Sequence, residues 1–174
     1  MQGGAVATRR QQEIVDVLVE IPRGSRQKYE LDKKTGRLRL DRVLFSSVHY
    51  PADYGFIVDT LGGDGDPLDA LVVVEEPTFP GCILPARPIG TLAMRDEKGD
   101  DEKILAVPTG DPRFAEVRDL KDLSPHWLRE IENFFATYKE LEDKRPPKIS
   151  GWHGASVARR LIAKARERAE KEAE

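Results

Sequence analysis

Residues 56–74 read FIVDTLGGDGDPLDALVVV, and this stretch decides the fold. Phe56-Ile-Val58 is a short strand. Gly62-Gly-Asp-Gly-Asp-Pro67 can only be a loop, because glycine, aspartate and proline at this density interrupt helix and strand alike. Ala70-Leu-Val-Val-Val74 follows as a continuous apolar run, short enough for a strand and apolar enough for burial on both faces.

Working outward, the same rhythm repeats. Tyr50-Pro-Ala-Asp-Tyr54-Gly is a turn-rich connection. Before it, residues 28–31 and 37–40 form a hairpin around the turn Asp32-Lys-Lys-Thr-Gly36. Earlier still, Val15, Val17, Val19 and Ile21 share one side of an extended segment and Asp16, Leu18 and Glu20 the other, until Pro22 and Gly24 break it. Residues 1–13 read as a flexible extension, which leaves 14–174 as a single domain. Toward the C-terminus, Ile83-Leu84, Ile89 to Met94 and Ile104 to Val107 add short strands. Many short strands joined by Gly/Pro turns predict a closed barrel, mainly β.

Two helices follow. Ser124-Pro125 reads as an N-cap with a first-turn proline, and Trp127, Ile131, Phe134, Phe135 and Tyr138 recur at helical spacing. A second helix runs from about Ala155, with Val157, Ala158, Leu161, Ile162 and Ala165 as its buried stripe and a tail of alternating charge.

Composition narrows the function classes. The chain has 174 residues, a net charge of −3 and 7% aromatics, which argues against a nucleic-acid binder. No apolar run approaches the length of a bilayer span. The single cysteine, Cys82, allows no internal bridge and fits a reducing compartment, so the expected location is the cytoplasm.

The acidic loop Asp64-Gly-Asp66-Pro-Leu-Asp69 is the most informative segment. Carboxylates this close repel one another unless cations neutralise them, and hard oxygen donors suit Mg²⁺, Mn²⁺ or Ca²⁺. An EF-hand fails here, because Leu68 and Asp69 occupy two of its required loop positions and strands flank the loop. Alone, such a cluster is as often a solvated turn as a site. A second acidic turn, Asp96-Glu97-Lys-Gly-Asp100-Asp101-Glu-Lys103, points to a shared metal site. Lys28 and Glu30 are two apart and face the same side of one strand, with Tyr29 opposite, and Glu20 on a barrel face is costly to bury unless it is paired or near metal. Candidate phosphate donors are Lys28, Arg42 and Lys139, each of which taken singly is an ordinary surface charge. Tyr138 belongs to the core by its spacing, with a hydroxyl able to reach outward. His49, His126 and His153 form no metal spacing and read as structural or surface residues.

Taken in order, Val-Glu20-Ile-Pro, Lys28-Tyr-Glu30-Leu-Asp, Asp-Arg42, Tyr50-Pro-Ala-Asp-Tyr54-Gly, Asp64-Gly-Asp66-Pro-Leu-Asp69, Asp96 to Lys103 and Tyr138-Lys139 closely resemble the family I soluble inorganic pyrophosphatases, in their short bacterial form. The resemblance covers roughly residues 14 to 150. It implies a five-stranded OB-like β-barrel with two C-terminal helices, and several Mg²⁺ ions in the barrel mouth, with Mn²⁺ as a substitute. Asp64, Asp69 and Asp101 would hold the first metal, with Asp69 shared by a second. Asp96 and Asp101 would take one arriving with substrate, Glu30 would help with another, and Glu20 would support the cluster. Lys28, Arg42, Lys103, Tyr138 and Lys139 would bind the phosphate groups, and Tyr54 would hydrogen-bond near the attacking water. The resemblance also implies a homohexamer.

The expected reaction is hydrolysis of pyrophosphate by a metal-activated water attacking in line, with Asp66 accepting its proton. Three rivals are weighed against it. An oligonucleotide-binding barrel would need a basic, aromatic-lined groove. A Ca²⁺-binding regulator would show no turnover. A hydrolase of nucleotide or polyphosphate anhydrides would lack any nucleotide motif such as a P-loop here.

Overall fold

Strand β1 (Val15–Ile21) alternates as its sequence predicts: Val15, Val17, Val19 and Ile21 are buried and Asp16 is exposed. The computed structural model describes residues 14–174, so the expected N-terminal extension, 1–13, lies outside the described residues. The predicted hairpin is present as β2 (Gln27–Asp32) and β3 (Arg37–Val43), which form a separate two-stranded sheet. The remaining strands are β4 (Asp53–Ile57), β5 (Asp69–Val72), β6 (Ile83–Asp96), β7 (Gly99–Pro108) and β8 (Lys148–Gly154). Helices α1 (Pro125–Thr137) and α2 (Ala155–Ala173) complete the chain.

β1 pairs with β4 on one edge and with β6 on the other, closing the order β1-β4-β5-β7-β6 into a five-stranded, OB-like ring. Closure removes the free edges an open sheet would expose. The β5–β7 pair is parallel and the others are antiparallel. β8 adds to the far half of β6, outside the ring. Among the described residues no helix is long and apolar enough to cross a membrane.

The apolar run through β5 now has its reason. Leu71 and Val73 join a core cluster with Phe134 and Phe135 of α1, while Ala70, Val72 and Val74 join a second cluster with Ala158 and Ile162 of α2. β7 splits the same way, Leu105 and Val107 against Ile104 and Ala106. Each helix thus covers one face of the central strands, and each fully buried Leu, Ile or Val contributes about 1.5–3 kcal/mol relative to exposure. β4 approaches β1 so closely that a Cβ on Gly55 would lie 1.8 Å from the Leu18 carbonyl oxygen, so only glycine fits there.

Several local expectations need correction. The strand expected from Phe56 begins at Asp53, because Tyr54 and Gly55 already pair with β1 and β5. The two segments expected at residues 83–84 and 89–94 are one strand, β6, whose internal Pro88 is accommodated by a register shift between Pro88 and Gly90. β8 carries no strand signal in the sequence, since Ser150, Gly151 and Gly154 give it neither alternation nor β-propensity. Ser124 sits at the α1 N-cap but its side chain makes no capping bond. Tyr29, expected opposite Lys28 and Glu30, lines the same cavity as both, because the β2–β3 register shifts between Lys28 and Tyr29.

Candidate active site

A cavity of about 540 Å³ opens at one end of the ring. β1 contributes Glu20 and β2 contributes Lys28 and Glu30. Tyr54 comes from β4, Asp64 and Asp66 from the acidic loop, Asp69 from β5 and Asp101 from β7. Gly65, at φ +87°, adopts a left-handed turn between Asp64 and Asp66 that residues with side chains rarely take. The loop holds itself: Asp66 N–H donates to Asp64 Oδ1 at 3.0 Å, and Gly62 N–H donates to the Asp66 carbonyl. It is tied to α2 through Leu61 N–H, which donates to the Ala165 carbonyl at 3.0 Å.

Lys103 ties together three of the lining residues. Its side chain is almost wholly buried, and its ammonium donates to Asp69 at 2.6 Å and to the Tyr54 hydroxyl at 2.9 Å, and stands 3.0 Å from Asp101. Burial pulls the Lys103 pKa down, but the oxygens of Tyr54, Asp69 and Asp101 outweigh it and hold the group well above its usual range. Lys103 also lies over the rings of Tyr54 and Phe135. Burial, reinforced by Asp69, raises the Tyr54 hydroxyl well above its ordinary pKa, so it stays protonated and able to donate.

Glu20 is mostly buried and accepts Leu31 N–H at 2.8 Å, which clips β1 to the hairpin. Desolvation raises its pKa to about 7, with Asp69 and Glu30 adding to the rise and Lys28 opposing it. A carboxyl in that condition is poised to take up a cation in exchange for a proton.

A second group carries positive charge. Lys28 and Arg42 face each other across β2 and β3, and both pair with Asp41, at 3.3 and 2.5 Å. Arg42 Nε also lies 2.6 Å from the nearly buried Glu142 carboxylate, out of line for a hydrogen bond, so the pair is held by charge and by a longer contact from Nη2. Lys139 lies over the Tyr138 ring, and burial together with the charges of Arg42 and Lys103 lowers its pKa. Tyr138 stacks on Phe134 of α1, and burial raises its hydroxyl pKa. Asp96, at the end of β6, does not line the cavity; its carboxylate accepts Lys98 N–H within its own turn, and its charge reaches Lys139.

The donor set fits a hard dication by chemistry: eight carboxylates, from Glu20, Glu30, Asp64, Asp66, Asp69, Asp100, Asp101 and Glu102, line one cavity. As they lie, no three carboxylate, imidazole or thiol groups among the described residues are close enough to hold one ion. Side-chain ammonium groups take that place instead, with Lys103 bridging Asp69 and Asp101 and Lys33 pairing with Asp66 at 2.6 Å.

Lys33, Lys98, Lys164 and Arg168 also line this cavity, and sequence reasoning passed over all four. The last two had a readable signal, because Leu161, Lys164 and Arg168 are spaced three and four apart on one face of α2. Lys33 and Lys98 lie in turns, where no periodicity marks them. His49, His126, His153 and Cys82 stand outside the cavity, as expected.

Residues 17–170 match the family model described as inorganic pyrophosphatase. An inorganic pyrophosphatase of Nostoc sp. is 53% identical over 86% of this chain and 88% of its own length. One from Methanosarcina mazei is 51% identical over 87% and 89%. The crystal structure of inorganic pyrophosphatase from Thermus thermophilus superposes with a TM-score of 0.89 at 42% identity, covering 91% of this chain and 92% of that one.

Proposed function

The chain belongs to the inorganic pyrophosphatase family and hydrolyses inorganic pyrophosphate to phosphate; we propose that it does so with several Mg²⁺ ions held by the carboxylates of this cavity. Asp64, Asp69 and Asp101 would hold the first, with Asp69 shared by a second, and Glu30 and Glu20, together with Asp96 from outside the cavity lining, would serve the others. Bound there, Mg²⁺ would offset the negative charge of pyrophosphate and make a water more acidic, and Mn²⁺ would substitute for it.

The remaining chemistry belongs to the chain. Lys28, Arg42, Lys103, Tyr138 and Lys139 bind the phosphate oxygens and stabilise the charge that builds on the leaving group. Lys139, with its lowered pKa, gains most from an arriving polyanion, because the anion offsets its repulsion with Arg42 and Lys103. Tyr54, kept protonated, orients the attacking water by hydrogen bonding. Asp66 takes the proton as the water oxygen bonds to one phosphorus. The bridging P–O bond breaks, and its electron pair leaves with the second phosphate. Lys33 orients the Asp66 carboxylate before reaction.

One observation carries this reading. Carboxylates from four separated segments converge on a single cavity, and a buried, charged lysine pairs with two of them. We take residues 14–174 as one catalytic domain of a cytoplasmic homohexamer. Oligomerisation is supported by the exposed apolar side chains Leu40, Phe45, Phe79 and Ile83, which a monomer would leave in water. The test is phosphate release from pyrophosphate with Mg²⁺, with EDTA added, and with ATP instead. The proposal expects turnover that EDTA abolishes and that ATP does not match. Turnover unchanged in EDTA, or faster with ATP, would refute it.

A further inference from the structure

Away from the catalytic cavity, three arginines surround a cleft of about 120 Å³ lined by Arg87, Pro88, Arg118 and Arg159. Each comes from a different part of the chain: β6, the segment before the single-turn helix Leu120–Asp122, and α2. Arg87 is held in place, because its Nη1 donates to the Val117 carbonyl at 2.9 Å and to that of Phe114 at 3.4 Å. The same contacts fix the backbone that presents Arg118.

None of the three guanidinium groups forms an ion pair among the described residues. The carboxylates of this region serve the backbone instead. Asp122 accepts the N–H groups of Arg118 and Asp119, each at 3.1 Å, and Asp119 accepts those of Leu120 and Ala155. α2 has no acidic residue in its first turn, and Arg159 and Arg160 follow in the next, where the helix dipole disfavours cations. Three like charges therefore gather without a direct ion-pair partner among the described residues, an arrangement that an anion relieves. Arginine forks present paired N–H donors that match tetrahedral oxyanions.

We infer that this cleft is a second anion site, whose ligand is inorganic orthophosphate. The cleft, of about 120 Å³, has room for one tetrahedral oxyanion. The cleft shares no residue with the catalytic cavity, so the inference stands apart from the catalytic reading. Orthophosphate bound there would report accumulated product without entering the site of hydrolysis.

The test is calorimetric titration of the full chain with sodium phosphate, in EDTA and at ionic strength held constant with chloride. Three proteins are compared: wild type, Lys139→Ala, and the double variant Arg118→Ala/Arg159→Ala. Both substituted arginines are exposed, so the fold and the Mg²⁺-dependent turnover should persist. The expected result is saturable binding in wild type and Lys139→Ala, weakened about tenfold or more in the double variant. Arg159→Gln alone, which retains most of the side-chain stem, should weaken it in the same direction if the double variant fails to fold. Absent binding in wild type, undiminished binding in the arginine variants, or loss of binding in Lys139→Ala would each overturn the inference. Tighter binding of AMP than of orthophosphate would overturn the choice of ligand.

Discussion

The ammonium of Lys103 donates to the Asp69 carboxylate at 2.6 Å from a nearly buried position at the barrel mouth. The same lysine reaches Asp101 at 3.0 Å, so one side chain neutralises two of the three carboxylates assigned to the first metal. It offsets their repulsion, and in the proposed mechanism it has the further role of meeting a phosphate oxygen.

Replacing Lys103 by Met should lower stability by about 2 kcal/mol. That is less than the ~3–5 kcal/mol of a wholly buried pair, because Asp69 and Asp101 keep about a third of their side-chain surface in water. Urea unfolding in EDTA checks this, and Mg²⁺ should restore more stability to the variant than it adds to wild type.

Glu20 makes the metal-free protein pH-sensitive. Its folded pKa, about 7, lies above its ordinary 4.5, so the folded state binds the proton more tightly than the unfolded chain. Its contribution to stability is therefore full below pH 4.5 and is lost as pH rises through 7, on the order of 2–3 kcal/mol. Urea midpoints from pH 4.5 to 8 should show this decline, and Glu20→Gln should flatten it.

Arg42 and Lys139 should separate under substitution. Both Arg42→Ala and Lys139→Ala should raise KM for pyrophosphate by about tenfold, each removing a charge-assisted contact. Only Arg42→Ala should also lower the melting temperature, because it leaves the nearly buried Glu142 carboxylate without its partner. Steady-state kinetics and thermal melts of the two variants decide the point.

Asp66→Asn should keep metal affinity within a few-fold and lower kcat by about 10²–10⁴. Its carboxylate pairs with Lys33 in an exposed loop, so the fold should tolerate the change. Full turnover in this variant would remove Asp66 as the proton acceptor.

Much of this was legible in the sequence. Strict alternation marked β1, and the apolar run 70–74 marked a strand buried on both faces, because period-two burial leaves a direct trace in residue type. The acidic loop was legible because a second acidic turn, residues 96–103, accompanies it, whereas one such cluster alone is as often a solvated turn. β8 was not, since glycines pair in a sheet without any hydrophobic pattern. Lys103 could be named but its position could not: burial against Tyr54, Asp69 and Asp101 is a property of strand register, which the residue string does not carry. The ties of Arg42 to Glu142 and of Lys33 to Asp66 span 100 and 33 residues, beyond the reach of any local signal.

The most direct measurement is anomalous diffraction from crystals soaked in Mn²⁺. Peaks lying between Asp64, Asp69 and Asp101, absent when Asp69 is replaced by Asn, are the predicted result. Saturating Mn²⁺ that leaves these three side chains without metal density would contradict the account.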